Sequence, residues 1–337
     1  MIDVENYFTG FKPQFDEDKF KALMKNTPTN FMTSEGNVNA SKEFVKSVLL
    51  ACRLLWQEFD RNNIYYGGEG GGKSHTAFQH TYVWWWCLNE IGMINYEFGM
   101  HLIYGKVKHL IKSMDEYKDI PFVLYTLDES EELNRRNWNK PIVKEFMGKL
   151  RRERKNLRVV NMIMPALEEM LPAIVLSRIN WIFEIDVRLD RNMKAVRGQY
   201  RMFNIPVSTG YYSVMQQRQI TRIEIKQYLN SRFFNTDQKF ENLPKKLLCF
   251  RGKTNSTFPF VKKEYKDWAR KINAEKDDDE DAADDKVKIL TIQRDKAIYD
   301  LHKNYAIKQS TLAKVFKLST SGIQKIVSKT TTTITSK

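Results

Sequence analysis

Residues Tyr66 to His75 read Tyr-Gly-Gly-Glu-Gly-Gly-Gly-Lys-Ser-His and satisfy the phosphate-cradling pattern G-x-x-x-x-G-K-[ST] in full. The pattern constrains the fold, because such a loop works only where a strand ends and a helix begins. Asn63 to Tyr66 reads as a short buried strand, and Ala77, Phe78, Thr81, Trp84, Trp85, Leu88 and Ile91 recur at helical spacing downstream. Side chains with a β-carbon would block successive backbone N–H groups from closing on an anion, and glycine removes that obstacle. Gly67, Gly68, Gly70, Gly71 and Gly72 are therefore expected to wrap their amides around a phosphate, with the helix start from Lys73 through Ser74 to His75 adding donors and a positive dipole end. Lys73 would neutralise the β- and γ-phosphates, and the Ser74 hydroxyl would enter a Mg²⁺ shell. Glu69, a carboxylate inside an anion site, has no role in this reading.

A second run supports the first. Ile120 to Leu127 is apolar and β-prone, as a central parallel strand covered on both faces should be, and it ends in Asp128-Glu129. Asp128 is expected to hold Mg²⁺ through water, and Glu129 to polarise the water that attacks the γ-phosphate. No D-x-x-G follows the strand, and Asn139-Lys140-Pro141-Ile142 lacks the aspartate of a guanine-reading motif. The expected ligands are thus ATP and Mg²⁺.

The chain has 337 residues, enough for two or three units, and 42% of them are hydrophobic. No stretch approaches the roughly 18 apolar residues of a membrane span, and the first residues are acidic rather than leader-like, so a cytoplasmic protein without membrane contact is expected. Cys52, Cys87 and Cys249 are few and far apart, which fits free thiols in a reducing compartment. A net charge of +14 predisposes the chain to polyanions, nucleic acid first among them.

That charge is uneven. Residues 277–285 hold seven acids in nine positions and are expected to form a solvated tether, part of a linker over 273–286. Beyond it, residues 286–337 carry eleven Lys or Arg against two acids, a net +9. Ala297, Ile298 and Leu301 mark a first helix there, Leu312, Ala313 and Phe316 a second, and Ile323, Ile326 and Val327 a third, with Ser319 as N-cap after a short turn. Leu312 to Ile323 looks like a DNA-binding helix-turn-helix, here over 287–330 with a tail at 331–337. It departs from that pattern in one place, since the turn position usually taken by glycine is Lys317. Thr320, Ser321, Gln324 and Lys325 would face base edges, and Lys308, Lys314 and Lys329 would meet phosphate.

Elsewhere, residues 1–40 read as an arm with scattered aromatics, Lys42 to Phe59 as an amphipathic helix, and His101 to Met114 as a further helix. A basic helical segment spans Leu133 to Arg158. Val159 to Met164 and Trp181 to Ile185 are buried strands, and their alternation with helices predicts an α/β fold with a parallel sheet over 41–195. From 196 to 272 short β-prone runs suggest an accessory lobe. The triplet Trp84-Trp85-Trp86 is expected to pack in the core.

The order of these elements resembles the HerA–FtsK group of P-loop ATPases, whose members include DNA translocases and viral genome-packaging motors. The likeness covers roughly residues 60–190. It rests on Gly72-Lys73-Ser74, on Leu127-Asp128-Glu129-x-x-x-Leu133, on the basic helix leading to Val159 to Pro165, and on Leu171 to Ile179 before the strand from Trp181. The resemblance implies a RecA-like core in a homo-oligomeric ring, usually of six subunits, with each ATP at an interface completed by a neighbour's arginine. Arg178 is the residue carried over to that role, with Arg151, Arg152 and Arg154 as rivals. Relatives usually end the strand before the proline in a polar residue; here Met164 stands there, and Asn161 is the nearest polar substitute. The combined expectation is an ATP-hydrolysing DNA motor of translocase or packaging type. The alternatives are an ATP-switched DNA-binding regulator or transposition accessory, and a terminase-like enzyme, for whose nuclease centre Asp186 and Asp190 alone are too few.

Overall fold

The computed structural model describes residues 11–58, 60–128, 130–137, 139–152, 157–170, 175, 179–189, 195–205, 224–230, 243 and 247–335. The chain divides into two units, one up to Trp268 and one from Ala269 onward.

The first unit is built on a seven-stranded sheet whose strands lie side by side in the order Ile103–Tyr104, Leu124–Leu127, Val159–Ile163, Arg61–Gly67, Trp181–Leu189, Ala195–Asn204 and Leu248–Lys253. In chain order the strands are β3 (Arg61–Gly67), β4 (Ile103–Tyr104), β5 (Leu124–Leu127), β6 (Val159–Ile163), β7 (Trp181–Leu189), β8 (Ala195–Asn204) and β9 (Leu248–Lys253). The five from β4 to β7 run parallel, and β8 and β9 continue the same sheet antiparallel. The fold is thus α/β with a mostly parallel sheet, as expected. The region anticipated as an accessory lobe contributes two strands to that sheet. Tyr200 to Phe203 lies in β8, while Glu224 and Ile225, expected in a strand, begin a helical stretch at 224–230. The run Tyr211 to Met215 lies outside the described residues.

Parallel strands buried on both faces need helices on both sides. On one side, Tyr65, Leu124, Val159, Ile163 and Phe183 pack with α2 (Lys42–Trp56) and α3 (Lys73–Glu90). On the other, Ile64, Tyr125, Val160, Met162 and Ile182 pack with α4 (Val107–Glu116) and α5 (Pro141–Arg152). The alternation of these numbers along each strand is the period-2 pattern of a two-faced sheet. Helix α4 starts at Val107 rather than near His101, because Ile103 and Tyr104 pair with β5 as an edge strand. Strand β5 starts at Leu124 rather than at Ile120, since Phe122, after Pro121, takes a left-handed backbone at φ 62°.

The N-terminal segment docks on this body. Helix α1 (Glu17–Lys25) and the hairpin of β1 (Asn30–Thr33) and β2 (Gly36–Asn39) bury Phe20, Phe31 and Val38 in the first core. Helix α3 is buried without interruption from Thr76 to Val83 and on to Trp84, so it has no wholly solvent-facing side over that length. Trp84 is fully buried, whereas Trp85 and Trp86 pack at the core's margin, Trp85 donating to the Tyr96 carbonyl at 2.7 Å and Trp86 meeting Phe31 edge-on. Buried His80 on α3 stacks on Phe44 at 3.8 Å, and burial holds its imidazole well below the usual histidine range.

Helix α6 spans Lys262–Asn304. The acidic run expected as a tether is helical within it, and the 43 residues contain no glycine or proline to break the helix. The second unit closes with α7 (Gln309–Phe316) and α8 (Thr320–Thr335), around Ile298, Leu312, Ala313, Ile323 and Val327. Lys317 between them is left-handed, at φ 55° and ψ 40°, the conformation glycine adopts without a steric penalty.

Two stability changes follow. Lys317→Gly removes a left-handed lysine and should raise stability by about 1 kcal/mol, seen as a higher urea midpoint for the second unit's transition. His80 takes up a proton in the unfolded chain below about pH 6.5 but not in the fold, so stability should drop with falling pH by up to about 1.4 kcal/mol per unit. Urea titrations at pH 7.5 and pH 5.5 check this; in His80→Phe the pH dependence should be shallower.

Candidate functional site

Strand β3 is buried from Arg61 to Tyr66 and delivers the chain to Gly67 at its carboxyl end. There the backbone has φ 148°, and a β-carbon on Gly67 would lie 2.2 Å from the Ile185 carbonyl oxygen of β7. Only glycine lets the turn pass so close to the neighbouring strand. Gly70 and Gly72 also hold positive φ, 68° and 87°, and the Gly71 N–H donates to Gly68 O at 3.2 Å. Gly72 is the N-cap of α3 and has no side chain to occupy the first free N–H groups of the helix, which leaves them as donors for an anion.

Lys73 folds back over this loop, its Nζ donating to Gly67 O at 2.8 Å and Gly68 O at 3.1 Å. Burial pulls its ammonium below the usual lysine range, while the nearby Glu69 and Asp128 carboxylates act in the opposite direction. Glu69 thereby acquires a physical role that sequence reading lacked: it is a counter-charge to the loop lysine. Ser74 Oγ donates to Asp128 Oδ1 at 2.8 Å, which ties the first turn of α3 to the carboxyl end of β5. Asp128 is 4% exposed, its N–H donates to Tyr104 O at 2.7 Å, and its Oδ2 accepts from the Tyr265 hydroxyl at 3.1 Å. Tyr265, on the first turn of α6, lies 137 residues further along the chain, and no local motif marks it.

A glycine-lined cradle with a lysine, a serine hydroxyl and one carboxylate can hold a polyanion and a hard divalent cation whose other ligands come from the anion and water. Among the described residues no three His, Cys, Asp or Glu cluster as a metal cage. Glu129 and Arg178 lie outside the described residues, as do Arg154 and Asp190. Asn161 is not at the site's surface. It is fully buried, accepts from Asn63 Nδ2 at 2.8 Å and donates to Thr81 Oγ1 at 2.9 Å, so it braces α3 against β6. Thr81 meets Thr126 of β5 at 2.7 Å, and this buried polar row crosses three adjacent strands. Met164 is buried too, with its N–H on Tyr65 O.

In the second unit Lys308, Lys314, Thr320, Ser321, Gln324 and Lys325 are all exposed. Ser319 accepts from the Gly322 N–H at 3.1 Å and so caps α8, as expected. No protein-family model and no curated protein matches this chain.

Gly67→Ala should cost more than about 2 kcal/mol of stability, because the new methyl meets backbone rather than a movable side chain. Gly68→Ala, with nothing within 4 Å of the added carbon, should leave the urea midpoint nearly unchanged.

Proposed function

We propose that this protein is an ATP-hydrolysing DNA motor with a RecA-like core. The observation that carries the reading is the Ser74–Asp128 hydrogen bond at 2.8 Å, beside a complete phosphate loop at the carboxyl ends of parallel strands. Two sequence motifs 54 residues apart thus converge on one point, where an accidental glycine turn would have no reason to meet an acidic strand end.

In this reading the loop amides from Gly67 to Gly72 and the start of α3 hold the phosphates of ATP, and Lys73 leaves its loop carbonyls to neutralise their charge. Ser74 and Asp128 would hold Mg²⁺, which when bound offsets charge on the phosphate oxygens. Tyr265 fixes the Asp128 carboxylate by occupying its second oxygen. Glu129, the residue after Asp128, is the proposed base that orients the attacking water.

Support for DNA as partner is electrostatic and local. The chain carries +14 overall, and residues 286–337 carry eleven Lys or Arg against two acids, around a tight two-helix turn. We read α7 and α8 as a helix-turn-helix, with Thr320, Ser321, Gln324 and Lys325 of α8 toward base edges and Lys308 and Lys314 toward phosphate. A homo-oligomeric ring, with Arg178 reaching a neighbour's nucleotide, completes the proposal.

DNA should stimulate ATP turnover, and Lys73→Ala or Glu129→Gln should reduce it by at least about a hundredfold. A phosphate-release assay with and without duplex DNA reads both effects; turnover indifferent to both substitutions contradicts the site. A triplex-displacement assay then separates the motor from an ATP-switched DNA binder, which would leave the third strand in place.

A further inference from the structure

Sheet order fixes a direction along the loop. Strand β3 has β6 and β5 on one side and β7, β8 and β9 on the other. Ser74 meets Asp128 at the end of β5, whereas the α-carbon side of Gly72 faces β8, where a β-carbon on it would lie 3.9 Å from Arg197 Cβ and from Gly198 N. A phosphate chain lying on the loop therefore has its metal-bearing end toward β5 and its other end toward β8 and β9.

On that second side is a cavity of about 780 Å³, within the range of small-molecule sites. Gly72 and His75 form one wall, and the segment from Lys253 to Phe258 forms another. The His75 and Phe258 rings meet at 4.9 Å and 61°, and Phe258 is backed by Phe260 and Tyr265 at 5.6 and 5.4 Å. Arg197 and Lys253 add two cations to the lining, and Asn39 and Ser256 add neutral polar groups.

The wall is also built before any ligand arrives. Gln79 of α3 donates to Asn255 Oδ1 at 2.8 Å, Asn255 O at 3.1 Å and Thr257 O at 2.5 Å, and Asn255 Nδ2 in turn donates to Asn37 O of the hairpin. Thr254 N–H donates to Gly198 O at 2.8 Å. The same helix that begins at the phosphate loop thus pins the segment opposite it.

We propose that this cavity seats the base and ribose of the nucleotide whose phosphates lie on the loop, a reading that rests on the proposed function. Phe258 and His75 supply the aromatic surface for the base. Asn39 and Ser256 offer hydrogen bonds to the ribose or base edge, and Arg197 and Lys253 meet the phosphate nearest the ribose.

Titration calorimetry on the full chain, with Mg²⁺ and either a non-hydrolysable ATP analogue or inorganic tripolyphosphate, tests the idea. The wild type should bind the analogue more tightly than tripolyphosphate. Loss of the ring in Phe258→Ala, or filling of the cavity in Ser256→Trp, should weaken the analogue about tenfold and leave tripolyphosphate nearly unchanged. Ser256 is exposed, so its substitution is the safer of the two for folding. Equal wild-type affinity for the two ligands, an unchanged margin in both variants, or equal weakening of both ligands overturns the inference while leaving the phosphate loop in place. Failure of the wild type to bind either ligand overturns the loop reading itself.

Discussion

The position of helix α3 governs the rest of this structure. It is sealed between the sheet on one side and α2 with the N-terminal hairpin on the other, and its burial from Thr76 to Trp84 leaves it little freedom to slide or turn. A helix packed all round is held by shape complementarity, and here a row of buried polar groups adds register. Asn63, Asn161 and Thr126 lie side by side on three strands, and Thr81 of α3 bonds to two of them. Such groups are costly to bury unless partnered, so a shift of the helix by one residue would strand several at once. The placement of Ser74 against Asp128 is a consequence of that lock.

At the loop, the constraint is steric. Gly67 has to pass the Ile185 carbonyl with no β-carbon, and the left-handed Gly72 then turns the chain into the helix. Lys73 rests on two carbonyls that the turn itself exposes. Helix α3 thus connects the loop, the carboxylate just past β5 and, through Gln79, the segment at 254–258 on the opposite side of β3.

Much of the first unit was legible in sequence because each signal was local and strong. The glycine pattern and the strand from Val159 appear where residue spacing put them, the run expected from Ile120 to Leu127 is a strand from Leu124 onward, and Trp84 packs in the core as expected. Less legible were features with opposing local signals. Seven acids in nine residues suggested a solvated tether, yet nothing in that stretch breaks a helix, and it is helical. Lys317 departs from the usual glycine at its turn, and the backbone is left-handed there all the same, because packing of Leu312 and Ile323 fixes the crossing of the two helices. The region after Val196 read as a separate lobe, since short antiparallel strands carry no mark of which sheet they join.

Sequence alone determined the chemistry on offer at the loop: five glycines, a lysine and a serine in a fixed order, with an acid pair after an apolar strand. Those are properties of neighbouring residues, set by backbone freedom and charge. The tertiary structure alone decided which distant groups meet them. Tyr265 reaches Asp128, Asn161 turns onto α3 rather than toward the site, and β8 and β9 bring Arg197 and Phe258 to the far side of the loop. The physical reason is that sheet order and helix packing are settled by burial summed over the whole core, and no short stretch of the chain contains that sum.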